Sequence, residues 1–306
     1  MDASTTSQDA ELFTLRDGVF VRRPGVTHRP EDYAEQHFPV LQRMQGEHFW
    51  YRGRHRFLLA ALRRQLARPG RTPAELRALD LGGGCGGWIH YVSTHLHPGF
   101  HELALADSSP RALSMAAAVT GPACPRYQVD LRDLGWQKRW DIIFLLDVLE
   151  HVSDQQAILR QIHDSLAPGG LLLLTVPALS FFWTANDERA RHQRRYAKRD
   201  LQELAAGSGL ALREALYFMF FLSPLLLAAR AGRRGTGGMT PAEREQCTAA
   251  THRIPPAPLN GLLTAVFAAE TPLGLWWKFP WGTSLLGVFQ KPRPSRAASS
   301  PALESQ

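Results

Sequence analysis

The sequence predicts an α/β fold with an open, doubly wound, mostly parallel sheet. From about residue 75 onward, short apolar runs alternate with amphipathic helical segments. This alternation is typical of strands that helices cover on both faces. A glycine-rich turn follows the first apolar run and leads into a helix, as in folds that bind nucleotides. The composition agrees, because 44% hydrophobic and 21% charged residues in a chain of 306 exclude wholesale disorder.

Seven strands account for the apolar runs. We predict strands at 77–81, 101–106, 127–129, 140–146, 171–176, 212–221 and 284–289. Between them we predict helices at 87–95, 109–118, 154–166 and 198–207. Pro168-Gly169-Gly170 separates the third of these helices from the next strand, as a helix terminator should.

Changes in composition divide the rest of the chain. Residues 1–30 lack sustained periodicity, whereas 31–67 follow a helical pattern. The predicted segments are a flexible arm (1–30), an N-terminal helical lid (31–74), a core (75–222), a helical, apolar insertion (223–281), the last core strand (282–291) and a disordered tail (292–306).

Charge and cysteine content limit the partners and the compartment. The net charge is +7, but 31 of the 35 basic residues are scattered arginines and no nucleic-acid-binding module is recognisable, so we do not expect a nucleic-acid partner. Cys85, Cys124 and Cys247 are too widely spaced for a disulfide framework. The first residues also lack the apolar segment of a secretion signal. We expect a cytoplasmic protein, peripheral at the inner face of the membrane.

The glycine-rich turn is the first candidate binding site. It reads Asp80-Leu-Gly82-Gly-Gly84-Cys-Gly86-Gly87. Glycines let the backbone turn sharply and approach a ligand, and the following helix offers free N–H groups to negative charge. The spacing Gly82-x-Gly84-x-x-Gly87 fits a dinucleotide fingerprint, which is a weak signal by itself. Asp80 favours a ligand that carries a sulfonium and an ammonium group over a pyrophosphate.

Acidic residues follow the next strands. Asp107 ends the second predicted strand, where a carboxylate can accept hydrogen bonds from ribose hydroxyls. Asp130 follows the third strand, where an acid can hold an adenine amino group. The fourth strand runs into Asp147-Val-Leu-Glu150-His151. Because the carboxyl ends of parallel strands form the binding edge of such sheets, these side chains should lie together.

This order of motifs resembles the class I S-adenosylmethionine-dependent methyltransferases, of the ubiquinone-biosynthesis O-methyltransferase-like kind. The resemblance covers residues 75–210 and the last strand at 284–291. It implies S-adenosyl-L-methionine as the cofactor. It also implies where the cofactor binds. Gly82, Gly84 and Gly86 would border the methionine moiety, and Asp80 would contact its amino group. Asp107 would bind ribose, Asp130 and Leu131 would flank adenine, and Asp147 would contact the cofactor.

Two histidines are candidate catalytic bases. Methyl transfer to a hydroxyl needs a proton acceptor, and His151 and His192 both follow strands at the expected binding edge. Asp147, Glu150 and His151 have the residue types of a magnesium or zinc site, which some ubiquinone-type enzymes use. We favour the alternative, a helix start with Asp147 on the cofactor, and expect no metal.

The predicted function is methyl transfer to a hydroxyl of a small-molecule or lipid-like acceptor, such as a secondary metabolite, a quinone or a polyprenyl or glycan precursor. The alternatives are an NAD-dependent oxidoreductase and a non-catalytic, cofactor-binding partner subunit. Apolar stretches with basic and tryptophan neighbours at 215–234 and 276–281 predict a peripheral membrane contact. A homodimer interface or a helical cap buried on the sheet would explain the same stretches.

Overall fold

The structure of the chain, a computed structural model, describes residues 7–29, 33–184, 187–188, 190–231 and 253–294. Its centre is a nine-stranded sheet in the order β1-β2-β5-β4-β3-β6-β7-β9-β8. The strands are β1 (Phe13–Arg16), β2 (Val19–Arg22), β3 (Arg77–Leu81), β4 (Glu102–Asp107), β5 (Arg126–Gln128), β6 (Trp140–Leu146), β7 (Leu166–Pro177), β8 (Ala211–Phe218) and β9 (Ser284–Gln290).

The predicted fold class is confirmed. Strands β2 to β7 pair in parallel, and β9 runs antiparallel between β7 and β8. The central strands are almost wholly buried, which explains why they are near-continuous apolar runs in the sequence. The bounds predicted for β3 and β6 match the structure.

The predicted strand count was wrong, because the sheet has nine strands instead of seven. The two further strands, β1 and β2, form a hairpin within the segment predicted to be a flexible arm. Asp17 and Gly18 join them with φ angles of 48° and 73°, which a tight hairpin turn requires. Strand β2 pairs with the open edge of β5, and Phe20 stacks on Tyr127 with ring centroids 5.0 Å apart.

A buried charge cluster fixes the N-terminal hairpin to the sheet. Helix α1 (Ser7–Leu12) carries Asp9, which accepts hydrogen bonds from Trp136 Nε1 at 3.0 Å and from Arg139 at 3.2 Å. Arg139 also donates to both oxygens of Glu102 at 2.8 Å. Removing one member would leave a buried charge without its counterion, so the cluster specifies where α1 docks.

Helices cover both faces of the sheet. They are α2 (Phe38–Glu47), α3 (Phe49–Leu66), α4 (Gly87–His95), α5 (Pro110–Thr120), α6 (Gln155–Ser165), α7 (Lys198–Ser208), α8 (Ser223–Ala231) and α9 (Ala257–Trp277). Helices α6 and α7 pack on one face, and α3, α4 and α9 pack on the other. The sheet is therefore doubly wound, as the sequence predicts.

The insertion between β8 and β9 docks on helix α3. Phe267 of α9 is fully buried against Gly53 of α3. Asn260 accepts a hydrogen bond from the Phe49 backbone N–H at 2.9 Å and donates to the Glu47 carbonyl at 2.9 Å. The Gly-rich stretch 232–238, and with it part of the predicted membrane contact, lies outside the described residues.

Residues 295–306 of the predicted tail also lie outside the described residues. Among the helices of the described ranges, none combines the length and the hydropathy that a membrane-spanning segment needs.

A side chain at position 53 should disrupt the packing of α9 on α3. A Cβ at Gly53 would collide with the Phe267 ring. We expect Gly53→Ala to lower the free energy of unfolding by about 1–3 kcal/mol, because overpacking forces the two helices apart. Gly46→Ala is the matched control, since a Cβ on that helical glycine meets nothing within 4 Å. Urea denaturation should show the control unchanged or stabilised by up to about 1 kcal/mol, and equal stability of both variants would contradict the packing argument.

Candidate functional site

The carboxyl edge of the parallel strands gathers the predicted site residues. Asp80 lies near the end of β3 and Asp107 is the last residue of β4. The loops that follow β3, β5 and β6 carry the glycines, Asp130 and Asp147. This edge is where ligands bind in open α/β sheets.

The glycine loop adopts the backbone that its residues allow. Gly82, Gly84 and Gly86 all have positive φ angles, and Gly86 is the N-cap of α4. A Cβ on Gly82 would lie 2.7 Å from Val148 Cγ2, and one on Gly86 would lie 2.5 Å from Thr120 Cγ2. Glycine is therefore required there both for conformation and for space. The loop delivers the first N–H groups of α4 to the carboxyl edge.

Asp107 is held in a fixed orientation beside this loop. Its Oδ2 accepts a hydrogen bond from the Gly84 backbone N–H at 3.0 Å, and its Oδ1 accepts one from the Ser109 N–H at 2.9 Å. A carboxylate oxygen carries two lone pairs and can accept more than one hydrogen bond. The geometry suits the predicted ribose contact.

Asp80 is the buried charge at the centre of the site. Its side chain is 1% exposed, and its Oδ1 has no hydrogen-bond partner among the described residues. Burial raises the pKa of Asp80 to about 7, with Arg54 lowering it and Asp107 raising it. An orphaned buried carboxylate oxygen fits a cationic ligand group such as the ammonium of a methionine moiety. The residues present therefore fit the cofactor that the sequence implies.

Residues 33–47 lie over the glycine loop. Phe38 is 2% exposed, and its carbonyl accepts a hydrogen bond from Cys85 Sγ at 3.5 Å. Gln45 Oε1 accepts one from the Gly87 N–H at 3.2 Å. This segment falls within the predicted lid, and its contacts close the loop from the side of α2.

The predicted adenine acid already has a partner. Asp130 Oδ2 accepts a hydrogen bond from Arg29 Nη2 at 2.6 Å, and Leu131 packs on the core. Burial raises the pKa of Asp130, and Arg29 opposes that shift. His28 next to this arginine bonds to Ser108 at 2.8 Å. The N-terminal segment thus reaches the loops after β4 and β5.

Asp147 pairs with an arginine from α3. Arg54 forms an ion pair with Asp147, and its guanidinium lies 5.0 Å from the Trp50 ring and 5.1 Å from the Tyr51 ring. The two residues are 93 positions apart in the sequence. The Asp147–Glu150–His151 set that resembles a metal site is therefore not formed as a unit. The signal for Arg54 was its place within the aromatic start of α3.

His192 is oriented by a carboxylate that the sequence analysis missed. Its Nδ1 lies 2.9 Å from Asp187 Oδ1. Asp187 also accepts hydrogen bonds from Arg195 Nε at 2.8 Å and Nη2 at 3.0 Å, and from the Thr184 N–H at 2.7 Å. Burial alone would raise the pKa of Asp187, but the bonds from His192 and Arg195 outweigh it and hold the pKa well below its usual value. The spacing Asp-x4-His-x2-Arg was the available signal.

Glu150 and His151 face the other side of His192. Glu150 Oε1 lies 3.9 Å from His192 Nε2, and the His151 and His192 ring centroids are 4.9 Å apart. Burial, and next His192, lower the pKa of His151 to about 4. Burial, and next Asp147, raise the pKa of Glu150 well above its usual value. His151 is consequently a weaker proton acceptor than an exposed imidazole.

The same three residues could hold a divalent cation. Among the described residues, Glu150, His151 and His192 each offer one ligand atom, and these atoms lie within 4.8 Å of one another. Glu150 Oε2 has no hydrogen-bond partner in the described part of the chain. The cluster differs from the set that the sequence suggested, because His192 takes the place of Asp147.

Comparisons with known proteins show which family and fold the chain matches. A family model described as a methyltransferase domain matches residues 49–215. No curated protein sequence matches this chain. A chain of the complex between the Trm112 methyltransferase activator and a methyltransferase of Haloferax volcanii is 17% identical, with 87% of this chain and 98% of that one covered and a TM-score of 0.53.

Two other solved structures share the fold. Phosphoethanolamine N-methyltransferase 2 of Haemonchus contortus, in complex with S-adenosyl-L-methionine, is 17% identical over 90% of this chain and 62% of that one, with a TM-score of 0.54. A methyltransferase from Bacillus halodurans is 18% identical over 76% of this chain and 98% of that one, with a TM-score of 0.50.

The burial of Asp80 should make stability depend on pH. The folded chain keeps this proton up to a pKa of about 7, whereas an unfolded aspartate loses it near the usual pKa of 3.8. Ligand-free wild type should therefore lose stability relative to Asp80→Asn as pH rises from about 4 to 7, by at most about 4 kcal/mol. Chemical denaturation across this range measures the difference. The exposed Asp133→Asn is the control and should follow wild type, while a pH-independent Asp80→Asn difference would refute the assignment.

Proposed function

Because this chain belongs to the methyltransferase-domain family, we propose that it methylates a hydroxyl of a small-molecule or lipid-like acceptor, with His192 as the general base. It is a class I methyltransferase with S-adenosyl-L-methionine as its cofactor, so the NAD-dependent alternative is dismissed. The ubiquinone-type subgroup that the sequence resembles is not specifically supported by the family match.

The chain's own residues divide the work of holding the cofactor. Asp80 would meet the amino group, Asp107 the ribose hydroxyls and the α4 N-terminus the carboxylate. Asp130 would take the adenine amino group once Arg29 shares or yields its contact. When bound, S-adenosyl-L-methionine supplies an electrophilic methyl group on a sulfonium.

The Asp187–His192 pair is the observation that supports a hydroxyl acceptor. A hydrogen bond from Nδ1–H to a charged carboxylate leaves the lone pair on Nε2. His192 Nε2 then accepts the acceptor's hydroxyl proton as the oxygen–methyl bond forms and the methyl–sulfur bond breaks, and Asp187 stabilises the resulting imidazolium. A general base of this kind contributes roughly 10²- to 10⁴-fold. Methyl transfer to an amine would depend less on a general base.

Positioning of the acceptor and exclusion of water supply the rest of the rate enhancement. Residues 33–47 cover the glycine loop, and Arg54 with Trp50 and Tyr51 lines the approach next to Asp147. In-line alignment of a nucleophile can be worth roughly 7–11 kcal/mol. Aromatic rings beside this approach favour an apolar or aromatic body on the acceptor.

Replacing His192 should slow the chemistry while leaving the cofactor site intact. We expect His192→Ala to lower kcat by about 10²- to 10⁴-fold with S-adenosylhomocysteine affinity unchanged. Asp187→Asn should lower kcat as well, because it removes the charge that orients the ring. His163→Ala is the matched control, since His163 forms a 3.0 Å pair with Asp164 on α6, away from the carboxyl edge. Activity that is lost to a chelator and restored by Mg²⁺ or Mn²⁺ would make His192 a metal ligand and overturn its role as base.

The acceptor class is tested with S-adenosylmethionine labelled on the methyl carbon. Purified protein is incubated with host extract, and the lipid and aqueous fractions are counted separately. Label in a base-stable ether of either fraction, absent with the cofactor-site variant Asp107→Ala, is the expected result. Label on nitrogen or carbon would contradict hydroxyl transfer, and binding without any transfer would favour the non-catalytic subunit.

A further inference from the structure

The outward face of α9 is apolar along the whole helix. Its polar residues Asn260, Glu270 and Thr271 are buried against the protein, and the half-buried Thr264 donates its hydroxyl to the Asn260 carbonyl at 2.7 Å. The exposed residues of the helix are Ala257, Pro258, Leu259, Gly261, Leu262, Ala265, Ala269, Pro272, Leu273, Trp276 and Trp277. A helix that faces water shows the reverse arrangement, with its polar side outward.

Specific contacts fix this orientation. Asn260 bonds to the chain at the start of α3, and Glu270 Oε2 accepts a hydrogen bond from the Phe221 N–H at 3.0 Å. Phe267 is fully buried between them. Rotating α9 to hide its apolar side would break these contacts and expose Phe267. The apolar side therefore faces outward as a consequence of the fold.

The C-terminal end of α9 is rich in exposed tryptophan. Trp276 is 82% exposed, Trp277 71% and Trp281 42%. Lys278 lies between them and is also exposed. Indole rings prefer the boundary between apolar and aqueous phases, and a lysine can place its stem in one and its ammonium in the other. We call the exposed residues of α9 together with Lys278 and Trp281 the apolar surface.

The charges around the apolar surface favour an anionic partner. Glu270 is the one acidic residue between positions 257 and 291, and it is buried. Arg253 precedes the helix and Lys278 follows it, and the chain carries a net charge of +7. Cations at both ends of an apolar helix with no exposed acid complement anionic headgroups.

We propose that the apolar surface binds the surface of an anionic phospholipid bilayer, with α9 lying in the plane of the interface. An amphipathic helix of this kind buries its apolar side roughly 5–10 Å into the headgroup boundary. At about 1.5 Å per residue, its 21 residues would extend about 32 Å along the membrane. The exposed side chains of α9 offer hydrogen-bonding groups only at one end of the helix, the indole N–H groups of Trp276 and Trp277. Protein interfaces carry hydrogen bonds throughout their rim, so the rest of this face suits lipid better than a protein partner.

The apolar surface adjoins the candidate catalytic residues. Trp281 is two positions from Thr283, whose carbonyl accepts a hydrogen bond from Arg195 Nη1 at 3.4 Å. Arg195 holds Asp187, the partner of His192. Membrane binding would place the carboxyl edge beside lipid-borne acceptors. This last consequence rests on the proposed function, whereas membrane binding itself does not.

Vesicle sedimentation without cofactor tests the proposal on the full chain. The probes are vesicles of phosphatidylglycerol with phosphatidylethanolamine, and vesicles of phosphatidylcholine alone. We expect wild type to bind the anionic vesicles, with a blue shift of its tryptophan emission. The double variant Trp276→Ser/Trp277→Ser should bind at least tenfold more weakly, and Lys278→Gln should weaken binding to anionic vesicles only. Leu15→Gln is the matched control, because Leu15 is an exposed apolar residue on β1, 62% exposed, outside the apolar surface.

Three results would overturn the proposal. One is no binding of wild type to either vesicle, and another is equal binding by wild type and the double variant. The third is a dimer in sedimentation velocity that the double variant abolishes, which would assign the apolar surface to a second copy. Circular dichroism and cofactor affinity show whether the variants are folded. Because binding is measured without methyl transfer, failure here leaves the proposed function standing, and the reverse also holds.

Discussion

Three buried carboxylates and a partly buried fourth at one edge of the sheet are the constraint on which the site depends. Asp80, Asp147, Glu150 and Asp187 all lie near the carboxyl ends of the parallel strands, and removing a carboxylate from water is costly unless a cation compensates. Two of them are paired with an arginine, one from a distant segment and one from the same loop. Asp147 is paired with Arg54 of α3, and Asp187 is paired with Arg195 from the loop before α7. The first ion pair thus attaches α3 to this edge, and the second links two ends of the loop after β7.

The other two carboxylates are left incompletely paired, and this difference sets their chemistry. Asp80 and Glu150 each have a buried oxygen without a hydrogen-bond partner in the described part of the chain, and burial raises the pKa of both. A cationic ligand group is the natural complement of Asp80. Glu150 lies against His192, where a proton or a cation can be accommodated. The ion-paired Asp147 and Asp187 therefore stabilise the structure, whereas Asp80 and Glu150 each keep an oxygen that a ligand can bind.

The sequence predicts the elements whose signals are local. The bounds of β3, β6 and α4 are correct, because buried strands are continuous apolar runs and the glycine loop marks the start of α4. The β1–β2 hairpin was missed because four-residue strands show too little periodicity, although Asp17-Gly18 was a turn signal. Contacts between distant positions were not predictable in the same way. Nothing local to Asp147 indicates that Arg54, 93 positions away, will pair with it.

Topology explains why the apolar surface lies beside the site. Strand β8 runs parallel to β7, so it ends at the carboxyl edge, and β9 runs antiparallel, so it begins there. Any insertion between them must leave and return at the edge where ligands bind. Helix α9 then docks on α3, the helix that supplies Arg54. The inner face of the insertion therefore stabilises α3, the helix whose Arg54 pairs with Asp147. Its outer face determines which partner can lie beside the site.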